Sequence, residues 1–277
     1  MKDKHSSHTS GVFGEWHHFY DLKTEEPGLN YKFLHRADQA DASPPKLRLV
    51  DEPFQPDSAL SDRIERCWLE MSARSVAKGR AWYNGEIWSP LDFRDNSLLV
   101  RSADFKSYIG TRRLSADISL RDRVSPVSVA ILPIEVDHVG GPITSLRFFR
   151  RHGNSLDFAG YFSGLGGLMD PEKDGLSPIA TAIREVGEEC GLNIAETQLT
   201  YLGAVSVSPQ GSVSFCYLLE LDRSSLSGGF EFADGEMTHS IRVPSLLLRA
   251  LQWKVTPAAG WVKGFARLVL DQHGHRF

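Results

Sequence analysis

The stretch from Val127 to Val136 constrains this chain's fold more than any other part of its sequence. It is a near-continuous apolar run. Alternate side chains of a strand point to opposite faces, so such a run fits a strand buried on both sides. A sheet covered on both faces calls for helices above and below it. Leu146 to Arg151 and Asp157 to Phe162 read as neighbouring strands, and Pro178 to Glu189 reads as a helix. Strands follow near Thr200 to Val207 and Val213 to Leu221. Pro244 to Trp253 and Pro257 to Leu270 read as closing helices, each opened by a proline suited to a first helical turn. This order predicts an α/β fold, a mixed sheet sandwiched between helices, over residues 126–277. No internal repeat is visible.

Upstream the pattern is different. Residues 1–45 are poor in apolar groups and end in Ala42, Ser43, Pro44 and Pro45, which predicts a loosely structured segment. Within it Trp16, His17, His18, Phe19 and Tyr20 form an aromatic clump, read as a patch that docks on the folded body. Residues 46–125 predict a small α/β unit. Lys46 to Val50 alternate like a strand, and Asp57 or Ser58 can cap a helix carrying Leu60, Ile64, Cys67 or Trp68, and Met71 at helical spacing. Asn84-Gly85 reads as a tight turn before apolar runs at Ile87-Trp88 and Leu98 to Val100.

Charge and composition exclude several functions. A net charge of −4 with no Lys/Arg stripe speaks against binding a nucleic-acid backbone. No stretch approaches the roughly 20 apolar residues that span a bilayer, and the N-terminal residues lack the apolar core of a secretory signal. Three scattered cysteines, Cys67, Cys190 and Cys216, fit buried free thiols rather than a disulfide framework. A cytoplasmic location is expected.

The chemistry concentrates between Arg184 and Leu192. On a helix Glu185, Glu188 and Glu189 stand at i, i+3 and i+4, so their carboxylates share one face. Packed acids repel one another, and a hard oxygen-binding cation such as Mg²⁺ compensates them, with Mn²⁺ as a substitute. Arg184 can hold one carboxylate while the others face metal, and Gly191 suits the helix C-terminus. The face follows a glycine run at Gly164, Gly166 and Gly167.

This segment resembles the Nudix box, G-x5-E-x7-R-E-U-x-E-E-x-G-U with U aliphatic. Arg184 to Leu192 match its second part throughout, Gly167 matches the opening glycine, and Ser177-Pro178 stand where many members carry a similar pair. The resemblance covers roughly Val127 to Leu270 and implies an α/β/α sandwich around a mixed sheet. The first box glutamate should stand at position 176, which here is Leu176, and the loop between Gly167 and Ser177 is about three residues too long. Glu172 or Asp174 is a candidate substitute.

The resemblance implies Mg²⁺-dependent hydrolysis of a pyrophosphate bond. Glu185, Glu188 and Glu189 are expected to hold metal, with the backbone at Gly167 completing the shell. Arg184, Glu185 and Glu188 are the expected catalytic residues. A further acid from a later loop is expected among Glu231, Asp234 and Glu236, with Glu236 chosen. The expected partner is a small nucleoside diphosphate derivative, with no nucleic acid and no membrane, and a homodimer is a possible assembly.

The substrate is sought upstream. Tyr83 to Gly85 and Phe105 to Thr111 are similar to an N-terminal pattern of the animal UDP-glucose-type Nudix hydrolases, over Lys46 to Arg113. Those relatives carry a degraded box, whereas this chain keeps the acids. The resemblance implies a nucleotide sugar such as UDP-glucose, with Tyr83, Asn84 and Tyr108 as contacts. The same residues could simply be turns of a structural domain. A Nudix pyrophosphatase acting on ADP-ribose or another dinucleotide, and a non-catalytic nucleotide-binding module, remain open alternatives.

Overall fold

A computed structural model describes residues 30–37, 43–77, 79, 81–138, 140–152, 162–208, 211–222, 230, 232, 237–245, 268–269 and 271–274. Its central element is β5 (Val127–Val136), which pairs in parallel with β9 (Ser212–Asp222) along its whole length. β6 (Ile143–Arg151) flanks β5 on the other side, antiparallel. Beyond β9 lie β8 (Leu199–Ser208) and then β1 (Asn30–Arg36), and beyond β6 lies β10 (Met237–Pro244). The two-residue β7 (Phe162–Ser163) pairs with β6. The sheet is therefore mixed, as the sequence predicts.

Both faces of β5 are covered. Val127, Val129 and Ile131 join one apolar cluster with Ala182, Val186 and Cys190 of the 178–190 helix. Ala130, Leu132, Ile134 and Val136 join another with Leu268 and Val269, which are helical. This alternation makes the domain an α/β sandwich, and a truncation such as Ile131→Ala would cost about 2–5 kcal/mol.

The upstream residues form a second, three-stranded sheet. β2 (Lys46–Leu49) runs parallel to β4 (Ser97–Asp104), and β3 (Glu86–Arg94) pairs with β4 antiparallel. Asp57 caps α1 (Ser58–Val76) by accepting the Leu60 N–H at 2.8 Å. Asp104 caps α2 (Phe105–Arg113) through the Ser107 N–H at 2.7 Å. The helices pack closely because Gly110 lies against Ile64, where a Cβ would come within 2.8 Å of a side-chain methyl. Trp68, Trp82, Phe105 and Tyr108 stack edge to face or tilted in this corner.

Three expectations are corrected. Residues 30–36, read as loosely structured, add an edge strand to the main sheet, with Asn30 to Arg36 in register against Ser208 to Gly203. Phe105 to Thr111, read as holding a turn, is helical, with Thr111 buried and its hydroxyl accepting the Val124 N–H at 3.0 Å. Pro244 ends a strand instead of opening a helix, since Ile241 to Pro244 pair with Phe148 to Ser145. The aromatic clump at 16–20, the strand expected at 157–161 and most of the closing helices lie outside the described residues. Cys67, Cys190 and Cys216 are free thiols, the last two buried. Among the described residues no helix is long and apolar enough to cross a membrane.

One charged junction ties three strands together. Glu135 of β5 is 1% exposed and accepts from Ser145 and Arg147 of β6 and Arg242 of β10. Burial alone would raise its carboxyl, but the hydrogen bonds from Ser145 and Arg147 and the two guanidinium charges outweigh it and hold it below the usual glutamate value. A depressed carboxylate stabilises the fold above its unfolded-state pKa, about 4.3, and that contribution is lost as the pH falls through the lower folded-state value. Glu135→Gln is expected to lower stability at pH 7 by about 1.5–3 kcal/mol. In urea titrations the gap from wild type should close as the pH drops below about 4; a gap that persists in acid would contradict the assignment.

Candidate active site

The helix α4 (Pro178–Cys190) starts where the sequence says it should. Ser177 accepts the Ala180 N–H at 3.3 Å, Pro178 occupies the first turn, and Gly191 closes the helix in the left-handed conformation. Its buried stripe runs through Thr181, Ala182, Glu185, Val186, Glu189 and Cys190. Glu185 and Glu189 thus lie under cover on the sheet side, while Glu188 is half exposed.

What covers them is the glycine run. Leu165 to Met169 lie antiparallel against β5, with the Val129 N–H donating to the Gly167 carbonyl at 3.0 Å and the Ile131 N–H to Leu165 at 2.8 Å. Gly166 has φ +137°, and a Cβ there would sit 2.2 Å from the Val129 carbonyl oxygen. Only glycine meets both conditions. Its N–H donates to Glu189 Oε2 at 2.7 Å. At Gly167 a Cβ would fall 2.3–2.5 Å from the Glu185 carboxylate atoms, so the missing side chain is the space that carboxylate occupies.

Arg184 organises the rest. A guanidinium offers five N–H donors in a fixed fork. Nε and Nη2 grip the two oxygens of Asp174 at 2.9 and 2.8 Å, and Nη2 also reaches the Leu168 carbonyl at 3.1 Å. Nη1 lies 2.8 Å from Glu185 Oε1 and 2.7 Å from Glu188 Oε2. Burial would lower the Arg184 pKa, but Asp174, Glu185 and Glu188 together raise it above the ordinary arginine value. Lys173 adds a second cation 3.7 Å from Glu188.

Asp174 settles the question of the lengthened loop. Residues Pro171–Asp174 form a single turn, α3, capped by Asp170 through the N–H groups of Glu172 and Lys173 at 3.0 and 3.2 Å. That turn leaves Glu172 exposed and carries Asp174 inward, 2% exposed at its side chain. Leu176, at the box-glutamate position, is 38% exposed. Burial would raise the Asp174 carboxyl, yet Arg184, the Asp170 N–H and Thr181 hold it below its usual value.

The donor set suits a hard dication. Four carboxylates (Asp174, Glu185, Glu188 and Glu189) face two cations (Arg184 and Lys173), an excess of negative charge that a divalent ion would balance. Among the described residues no three Asp, Glu, His or Cys side chains converge as a ready-made metal cage. Arg184 and the Gly166 N–H hold the acids in place instead.

The upstream candidates are placed elsewhere. Asn84 donates to Asp104 at 3.0 Å and accepts the Lys106 N–H at 2.7 Å, so both ends of its amide serve the start of α2. Tyr108 is buried, and its hydroxyl accepts from Arg112 at 2.9 Å. Tyr83 is 85% exposed. Glu231, Asp234 and Glu236 lie outside the described residues. Sequence reasoning missed Trp88, whose indole N–H donates to the Gly175 carbonyl at 2.6 Å across a separation of 87 residues. Nothing in the linear pattern links those two positions.

No protein-family model matches the sequence, and no curated protein does. Among solved structures the chain is similar to the NUDIX domain of Shewanella oneidensis NrtR in complex with ADP-ribose (16% identity, 57% of this chain and 97% of that one, TM-score 0.40). It is also similar to a NUDIX hydrolase from Alicyclobacillus acidocaldarius (15% identity, 52% and 91%, TM-score 0.40). A MutT/nudix family protein from Enterococcus faecalis is similar at 13% identity and TM-score 0.35, over 47% of this chain and 48% of that one, about half its length. These likenesses are partial, and the functional reading rests on this chain's own residues.

The two glycines separate stability from chemistry. Gly166→Ala meets backbone at a strained φ and is expected to cost at least about 1–3 kcal/mol of stability. Gly167→Ala meets only the mobile end of Glu185, so the fold should survive while hydrolytic turnover falls on the order of 10²-fold. Equal losses of stability in the two variants would contradict this division.

Proposed function

We propose that this chain is a Mg²⁺-dependent pyrophosphohydrolase that splits a nucleoside diphosphate linked to a second group, with nucleotide sugars such as UDP-glucose first in line. The observation that carries the reading is the carboxylate face of α4, drawn together by Arg184 and seated against a glycine run that leaves room for it. Glu185, Glu188 and Glu189 would hold the ion, with the Gly167 backbone as the further oxygen the resemblance implies. When bound, Mg²⁺ supplies Lewis-acid polarisation and lowers the pKa of attacking water.

The chain's own residues account for the other requirements. Arg184 keeps Glu185 and Glu188 beside one another at 2.8 and 2.7 Å, which their mutual repulsion would otherwise oppose. Glu188, the most exposed of the three, is the carboxylate able to take a proton from solvent-side water. Water attacks one phosphorus, a P–O bond forms, and the bond to the bridging oxygen breaks. A nucleotide sugar then yields a nucleoside monophosphate and a sugar phosphate.

The sugar-nucleotide assignment rests on the Lys46–Arg113 resemblance. The test is a panel of nucleotide sugars, ADP-ribose and dinucleoside polyphosphates with Mg²⁺, with products read by mass. Turnover of ADP-ribose or a dinucleoside polyphosphate alone would keep the chemistry and replace the substrate. Metal-independent binding without turnover would favour a nucleotide-binding module. On the cleaved substrate, Glu188→Gln and Glu189→Gln are each expected to lower turnover at least roughly 10²-fold at saturating Mg²⁺, with an unchanged circular dichroism spectrum. Full activity in both variants would remove the metal site from the account.

A further inference from the structure

The lengthened loop and the upstream sheet meet at one place. Trp88 of β3 is 7% exposed and donates its indole N–H to the carbonyl of Gly175, the residue after Asp174. Leu168, whose carbonyl accepts from Arg184, packs its side chain against the cluster of Ile87, Ala103, Tyr108 and Ile109. The short turn bearing Asp174 is thus gripped from outside the box, by a sheet assembled from residues 46–104. Asp174 in turn takes two of the five donors of Arg184, leaving Nη1 directed at Glu185 and Glu188.

We propose that Asp174, clasped through Gly175 by Trp88, is the positioning residue that fixes Arg184 and through it the spacing of Glu185 and Glu188. The three-residue lengthening of the loop is then the means by which a carboxylate enters from a different backbone position, since position 176 holds an exposed leucine. The upstream sheet acts on catalysis through this clasp. Asp174 touches no reacting atom in this scheme. The inference rests on the hydrolase reading above, and it predicts what that reading alone does not: an acid at 176 is superfluous, and a tryptophan far from the metal matters.

The test uses the full chain and three variants. Asp174→Asn keeps the shape and removes the charge; kcat is expected to fall about 10- to 100-fold with KM for the nucleotide within about threefold of wild type. Mn²⁺ affinity, measured by electron paramagnetic resonance, is expected to weaken about tenfold. Leu176→Glu should stay within about twofold of wild type, because Arg184 already has its carboxylate. Trp88→Phe keeps an aromatic ring in the core and deletes only the indole N–H; a several-fold loss in kcat at nearly unchanged thermal midpoint is expected, and this variant carries the test if Asp174→Asn fails to fold.

Wild-type kcat and Mn²⁺ affinity in Asp174→Asn would overturn the proposal, as would unchanged kcat in Trp88→Phe or a large rate increase in Leu176→Glu. If wild type hydrolyses no nucleoside diphosphate derivative but binds Mn²⁺, the hydrolase reading fails alone, and the Mn²⁺ affinities of the Asp174 and Trp88 variants still decide the positioning role. Absence of Mn²⁺ binding in wild type overturns both.

Discussion

A single guanidinium holds the candidate site in shape. Arg184 gives its five donors to Asp174, Leu168, Glu185 and Glu188, so one side chain links the loop, the helix and, through Leu168, the upstream core. Without it, Glu185 and Glu188 would carry like charges at close range with nothing between them. A buried ion pair of this kind is weak evidence for stability, because desolvation offsets much of the attraction. Its value is geometric: the fork of an arginine fixes the planes and spacing of the carboxylates that meet it. The retention of charge here, in a region otherwise apolar, is understandable if the spacing itself is what the fold must deliver.

The rest of the molecule serves that spacing in layers. β5, apolar on both faces, anchors the glycine run along one side and receives α4 through Val127, Val129 and Ile131. The backbone of Gly166 reaches Glu189, and the empty position at Gly167 accommodates Glu185. The second sheet is not a detachable module. Leu47, Trp88, Leu98 and Val100 share a core with α4, and β1 completes the edge of the main sheet from the N-terminal side. Removal of residues 1–125 would therefore strip structure from the catalytic half.

Much of this was legible in the sequence, and the reasons it stopped are physical. The ends of β5 and α4 could be read because a doubly buried strand and a proline-started, glycine-ended helix leave strong local signals. The carboxylate face of α4 was legible for the same reason, since helical spacing alone brings i, i+3 and i+4 together. Asp174 was one of two candidates, and sequence could not choose, because the choice depends on a single helical turn between Asp170 and Gly175. Trp88 was invisible: its bond to Gly175 is a tertiary contact with no local counterpart. Residues 30–36 misled because edge-strand pairing with β8 is set by the partner more than by the strand's own composition. Asn84 and Tyr108 were sought as ligand contacts on a pattern whose described contacts here are those of a helix start and an aromatic corner.

The central claim is that the acids of α4 form a divalent-cation site on which the chemistry depends. Titration of the intact chain with Mn²⁺, followed by electron paramagnetic resonance, tests it most directly. The account predicts saturable Mn²⁺ binding that Mg²⁺ displaces, and loss of that binding in a Glu185→Gln, Glu188→Gln double variant whose fold is intact. Absent or unsaturable binding in the wild-type chain, or binding unchanged in the double variant, would contradict it.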